Sequence, residues 1–143
     1  MKEVFRMSSS APFANFHATT ADVVFHGYTI PKDTVIIGNL YDANYDQDTW
    51  GDPNVFRPER YLVGEKESIP TYLSFSVGLR TCPGQTYAKN SFFLYLVTIV
   101  QNFKVKFDEN VNPAPDDAKL FSDCLLSVFR FAKEYSYVME KRA

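Results

Sequence analysis

The run "FSVGLRTCPG", Phe75 to Gly84, holds one of the two cysteines of the chain. Its pattern, F-x-x-G-x-R-x-C-x-G, fixes five of ten positions. A cysteine thiolate is a soft ligand for a transition metal. An anionic sulfur is stabilised by backbone amides and by the positive end of a helix, and Cys82 stands immediately before a long apolar, helix-spaced run. Gly84 carries no side chain, so a flat cofactor could approach its backbone closely. Gly78 permits a tight or left-handed turn. Phe75 offers a ring to cover the sulfur and limit water. Arg80 can reach the anionic edge of a bound group. The competing reading is an inert cysteine packed in a glycine-rich turn, since free cysteines are commonly buried. Five positions fixed at set spacing favour the ligand.

Three further groups invite chemistry. Glu3 and Arg6 form E-x-x-R and share one face of a helix. In isolation that is a solvated ion pair worth under ~1 kcal/mol. "FRPERY", 56–61, carries a second arginine, Arg60, in a P-E-R triplet. His17 reads either as a turn histidine bonded to backbone or as a donor to an anionic group. His26, beside Gly27, reads as solvated. Lys89 reads as a solvated helix lysine or as a contact for a partner on the cysteine side. Cys124, in "SDCLLSV", reads as a packed small residue.

These residues need a scaffold. At 143 residues, 45% hydrophobic and 16% aromatic, one domain with ample core material is predicted. Thirteen Phe and nine Tyr suit a chain that packs against something large. A net charge of −2 without a basic block argues against nucleic-acid binding. Two cysteines make no secreted disulfide framework. The longest apolar run, "FFLYLVTIV", is less than half of the ~20 residues that a membrane-crossing helix needs. "KEVFRM" opens as a helix with no capping residue before it, which suggests a fragment. Ser8–Ser10 and Pro12 end that helix. "DVVF", "YTI" and "TVIIGNL" read as short antiparallel strands punctuated by Gly27 and Pro31. One helical turn at Gln47–Trp50 interrupts a long ordered loop from Tyr41 to Pro70. After Cys82, the apolar residues predict a helix that is hydrophobic nearly all round and therefore buried. "KVKF" and "YSYVME" read as strands, with a hairpin turn near Phe129–Glu134.

E-x-x-R, then P-E-R, then the cysteine loop, in that order and spacing, resemble the carboxyl-terminal part of the cytochrome P450 family, most like microsomal animal members. Tyr61 stands where the family's P-E-R-F has Phe. The resemblance covers residues 1–143 and implies a mainly α fold with small antiparallel sheets, of which this is the C-terminal haem-ligating portion. It implies that Cys82 is the axial ligand of haem b iron. Arg80, His17, Phe75, Gly78 and Gly84 would then surround the cofactor. Many members have a His-Arg pair at this point, and here the arginine is replaced by Ala18, leaving His17 and Arg80 a larger share of the propionate charge. Glu3, Arg6 and Arg60 would form a buried structural network that holds the cysteine loop. Ala11, Asn15, Phe16 and Phe129 would line the substrate pocket. Catalysis would need no protein acid or base beyond the axial ligand in these residues.

The implied reaction is monooxygenation of a small apolar substrate, with electrons from an NADPH-dependent reductase. The implied location is the cytosolic face of the endoplasmic reticulum membrane, reached through segments outside this chain. The family's oxygen-activating acid–alcohol pair also precedes these motifs, so the chain alone is expected to be inactive. A non-enzymatic haem-thiolate sensor, or a domain with no cofactor, are the rival readings. Neither needs E-x-x-R or P-E-R.

Overall fold

A computed structural model of the chain describes residues 1–62, 72–108, 129–131 and 136–142. Cys124 and residues 132–134 of the expected 129–134 turn lie outside them.

Helix α1 spans Lys2–Ser8, and no side chain caps its first turn. It ends where Ser9 enters the left-handed region at φ 37° and its amide returns to the Phe5 carbonyl. The hydroxyl of Ser9 donates to the Arg6 carbonyl at 2.7 Å, so the sharp exit uses local side-chain bonding. Residues 12–14 then run beside 38–41, held by Ala14 N–H to Gly38 O and Tyr41 N–H to Pro12 O.

Three two-stranded antiparallel sheets follow in the described residues. β1 (His17–Ala18) pairs with β4 (Val35–Ile36), opposing His17 to Ile36. β2 (Val23–Phe25) and β3 (Tyr28–Ile30) form a hairpin. Its turn residues His26 and Gly27 have φ 49° and 83°, the two left-handed positions that match strand twist in a tight hairpin. β5 (Phe103–Phe107) pairs with β6 (Tyr137–Lys141), so the two alternating stretches near the end of the chain do form one ribbon.

Two short helices organise the loop after β4. α2 (Leu40–Tyr45) is capped by Asn39, whose side chain accepts the Asp42 amide. α3 (Gln47–Trp50) is capped by Asp46, whose carboxylate accepts the Thr49 amide. A 3₁₀ turn at Pro58–Tyr61 carries the P-E-R triplet, and another at Gly78–Arg80 leads to Cys82.

Helix α4 spans Gln85–Asn102 and contains no buried residue. This corrects the expectation of a buried helix. Its sequence is apolar on every side, but these residues cover it on one. Phe92 meets the Phe5 ring at 5.2 Å, while Phe93, Leu94 and Tyr95 face outward, exposed.

The buried set is unusual in kind. Met7, Leu40 and Trp50 are the buried hydrophobic side chains among the described residues, beside buried Glu3, Arg6, Ser9, Asn44, Arg60 and Arg130. A centre this polar holds only if its groups are mutually satisfied.

Candidate functional site: a cysteine cleft on an ion-pair platform

The platform is built on α1. The Arg6 guanidinium donates both Nε and Nη2 to the Glu3 carboxylate, at 2.9 and 2.8 Å, a bidentate pair across one helical turn. Arg60 arrives from the Pro58–Tyr61 turn and donates Nε to Glu3 at 3.1 Å. Its remaining nitrogens donate to the carbonyls of Trp50, Asp52 and Val55. One planar guanidinium thereby ties a carboxylate to three loop carbonyls. The indole of Trp50 lies 5.0 Å from Arg6 and 5.8 Å from Arg60, covering both cations.

Burial alone pushes the Glu3 carboxyl up. The hydrogen bonds from Arg6 and the Arg57 amide, with the charges of Arg6 and Arg60, outweigh it and hold Glu3 below its ordinary value. Arg60 is likewise held above its ordinary value, because Asp52 and Glu3 outweigh its desolvation. Both groups are therefore charged in the fold.

The cysteine loop rests on this platform. Its turn is closed by Ser76 N–H to Leu73 O and by Cys82 N–H to Phe75 O, at 2.8 and 2.9 Å. Thr81 Oγ donates to the Phe75 carbonyl at 3.2 Å. Gly78 has φ 75°, a conformation that glycine adopts without the penalty of a side chain. Ser76 sits at φ 59° within the same turn, a position uncommon for a residue with a side chain. Gly84 has an ordinary φ of −82° at the start of α4. A methyl group added there would stand 3.8 Å from Cys82 Sγ, so the glycine leaves open the space next to the sulfur.

Cys82 is a free, exposed cysteine. It opens on a cleft of about 180 Å3. Phe75, Pro83, Arg80, His17, Ala11 and Asn15 contribute to the cleft wall, as do Phe13, Ala14, Leu40, Ser74 and Ser76. Cys82, Arg80, His17 and Phe75, drawn from β1 and the cysteine loop, thus meet at one cleft. Gly78 shapes the loop behind it. Phe16 and Phe129 are not among the lining residues, and both are exposed. Lys89 is not freely solvated. It is half-buried, with its ammonium 5.6 Å from the Phe75 ring and 5.7 Å from Tyr72. Those aromatic faces offer a cation–π seat that spacing along one helix does not reveal.

The donor set defines what could bind. Among the described residues no three His, Cys, Asp or Glu side chains group as a metal site. Cys82 supplies one soft ligand, which suits a metal that brings its other ligands with it, as haem iron does. The mainly apolar wall suits a macrocycle, and the Arg80 guanidinium and the His17 ring N–H suit acidic substituents. The residues present fit a haem.

Two buried polar residues escaped sequence reasoning. Asn44 joins α1, α2 and the cysteine loop. Arg130 packs its guanidinium 4.4 Å from the Tyr41 ring and gives its amide to the Ser10 carbonyl, beside the cleft wall at Ala11. Asn44 lies in a polar stretch that reads as loop and Arg130 between Phe129 and Phe131 in the expected hairpin turn, and no local pattern marks either.

The cytochrome P450 family model matches residues 1–128. Cytochrome P450 1A2 of Canis lupus familiaris is 39% identical over 107 residues, which are 71% of this chain and 21% of that protein. Cytochrome P450 1A1 of Rattus norvegicus is 38% identical over 119 residues, 79% of this chain and 23% of that protein. A zebrafish cytochrome P450 solved with abiraterone superposes with a TM-score of 0.83 at 25% identity, covering 99% of this chain and 32% of that one. The chain therefore spans about a fifth of the length of these curated relatives, and its helices and small antiparallel sheets are part of their fold. By sequence over nine-tenths of its length and by the course of its backbone, the chain belongs to the cytochrome P450 family.

Proposed function

We propose that residues 1–143 are the carboxyl-terminal, haem-ligating part of a single cytochrome P450 domain. The whole protein would insert one oxygen atom of dioxygen into a small apolar substrate. The observation that carries this reading is the meeting of Cys82, Arg80, His17 and Phe75 on one cleft in a chain of this family. Haem b bound through a thiolate supplies the chemistry of dioxygen cleavage and oxygen transfer.

The residues of the chain do the rest of the work at this half of the site. Cys82 would supply the thiolate that holds the haem iron. Arg80 and His17, at the cleft, would bond its acidic substituents. Phe75 would shield the sulfur from water. Ala11 and Asn15 shape the wall nearest the substrate, while Phe16 and Phe129 would contribute only from outside the cleft of this chain. Glu3, Arg6 and Arg60 keep the loop rigid, so that the sulfur does not wander from its ligating position.

The electron donor is a reductase that draws on NADPH. The protein lies on the cytosolic face of the endoplasmic reticulum membrane, and its membrane contacts come from segments other than these. Among the described residues no helix is long and apolar enough to cross a membrane. The 143 residues by themselves bind haem without turning substrate over.

The test is spectroscopic. The full chain is loaded with haem, reduced and exposed to carbon monoxide. The strongly red-shifted Soret band of a thiolate ligand is expected, and Cys82→Ala abolishes it. Failure to bind haem, or a band that survives Cys82→Ala, overturns the reading.

A further inference from the structure

The ion-pair platform and the cysteine loop are joined by a residue that belongs to neither motif. Asn44, on α2, is fully buried. Its backbone carbonyl accepts Arg6 Nη1 at 2.8 Å, which links the residue to the Glu3–Arg6–Arg60 cluster. Its side-chain carboxamide bonds the start of the cysteine loop and the end of α1. Oδ1 accepts the Leu73 amide at 2.8 Å, and Nδ2 donates to the hydroxyls of Ser9 and Ser74 at 3.0 and 3.3 Å. The Ser74 hydroxyl in turn donates to the Phe5 carbonyl of α1 at 2.5 Å.

Leu73 is the hinge of the arrangement. Its amide is held by Asn44, and its carbonyl holds Ser76, the residue at positive φ. The next link, Phe75 O, accepts the amide of Cys82 itself. An unbroken series of hydrogen bonds and short stretches of chain runs from Glu3 to the cysteine. Asn44 is its middle member, and it does not line the cleft.

We propose that Asn44 is a positioning residue for the axial cysteine, transmitting the order of the ion-pair platform to the loop that carries Cys82. This rests on the haem-thiolate reading for its consequence, but the coupling itself is a property of the chain. A buried amide whose partner is removed has no water to replace it. Loss of the carboxamide therefore frees the Leu73–Ser76 turn, and the strained Ser76 conformation is no longer over-determined by its surroundings.

Two measurements on the full chain test it. In the haem-free protein, Asn44→Leu should speed hydrogen exchange of the Leu73 and Ser76 amides on the order of tenfold or more. In the haem-loaded, reduced, carbon-monoxide form, Asn44→Leu should lose most of the thiolate Soret band while retaining haem.

Tyr45→Phe is the control. The Tyr45 hydroxyl ties α2 to the Met7 carbonyl at 2.6 Å without touching the loop, so its loss should leave both readouts as in the wild type. If Asn44→Leu does not fold, Ser74→Ala removes one branch of the same connection and should move both readouts in the same direction by less. Unchanged exchange and an unchanged band overturn the proposal, as does an equal effect from Tyr45→Phe. A wild-type chain with no thiolate band overturns the haem reading instead, and the exchange measurement still decides the coupling.

Discussion

Glu3 and Arg60, 57 positions apart, meet at 3.1 Å in a site where the glutamate is 1% exposed and the arginine 6%. The same carboxylate oxygen, Oε1, also accepts from Arg6 and from the Arg57 amide. A single anion thus compensates two buried cations and fixes one turn of loop. Replacing a buried charge that has partners leaves those partners uncompensated, which costs about 3–5 kcal/mol. Glu3→Gln is therefore expected to lower unfolding stability by about that amount, with Arg6→Met and Arg60→Met close behind. Arg57→Ala, whose side chain reaches only the half-exposed Asp52, should cost less than about 1 kcal/mol. Urea unfolding of the four variants checks the order. A Glu3→Gln variant as stable as the wild type would contradict the account.

The same cluster sets an acid limit. The pKa of Glu3 is lower in the fold than its ordinary value of 4.5, so the unfolded chain binds the proton more readily. Its contribution to stability is complete above about pH 4.5 and is lost as pH falls through the depressed folded value. Asp52 is shifted in the same direction by Arg60 and Arg57, which outweigh its desolvation, and adds to the effect. Stability followed from pH 6 downward should fall through this window, and Glu3→Gln should flatten the fall. An equally steep loss in Glu3→Gln would assign the acid sensitivity elsewhere.

What was legible in the sequence is what chemistry makes local. E-x-x-R, P-E-R and the cysteine pattern each lie within ten residues, so their types and spacing reach the reader intact. The β2–β3 hairpin announces itself through His26-Gly27, and β5 and β6 through alternation. β1 is two residues long, too short for any period to appear, whereas β4, Val35–Ile36, falls within the β-branched run "TVIIGNL". α2 hides in a run of Asn and Asp that looks like turn material, although Asn39 and Asp42 there form a cap. Asn44 has the same disguise: its burial comes from α1 and the cysteine loop closing over it, and neither is near it in the chain. α4 misled in the opposite sense. Its composition describes a helix covered on all sides, but burial depends on neighbours, and the described residues supply them on one face. His17 and Arg80 illustrate the middle case, where residue type suggested an anion site and only the fold brought the two to one cleft.

The two glycines of the cysteine loop should separate folding from binding. Gly78 has a positive φ with open space around it, so Gly78→Ala strains the backbone and should destabilise the haem-free chain by about 1 kcal/mol. Gly84 has a negative φ, and a methyl group there makes only ordinary contact with Cys82 Sγ. Gly84→Ala should leave haem-free stability unchanged or raise it by up to about 1 kcal/mol through the unfolded state. On the proposed haem reading it should nonetheless weaken haem loading, because the added carbon occupies space beside the Cys82 sulfur. Thermal unfolding and haem titration of both variants decide the matter. Full-affinity haem binding by Gly84→Ala would mean that the cofactor does not approach this part of the backbone.

Tyr61 gives a prediction of the opposite sign. Its hydroxyl is buried and finds no hydrogen-bond partner among the described residues. Its ring is placed among Trp50, at 6.4 Å, Tyr72, at 6.4 Å, and the Lys2 ammonium, at 5.5 Å. Burial, with the charge of Glu3 second, pushes its pKa up to about 12. An unsatisfied hydroxyl costs about 1–3 kcal/mol of desolvation, whereas the ring contacts need no oxygen. Tyr61→Phe keeps every ring contact and removes the orphan, so it should match or exceed wild-type stability, by up to about 2 kcal/mol. The residue that the P-E-R-F pattern would place here is the better packed one. Absorbance titration should also show one tyrosine ionising near pH 12 in the wild type and missing from Tyr61→Phe. A destabilised Tyr61→Phe variant would show that the hydroxyl is bonded after all.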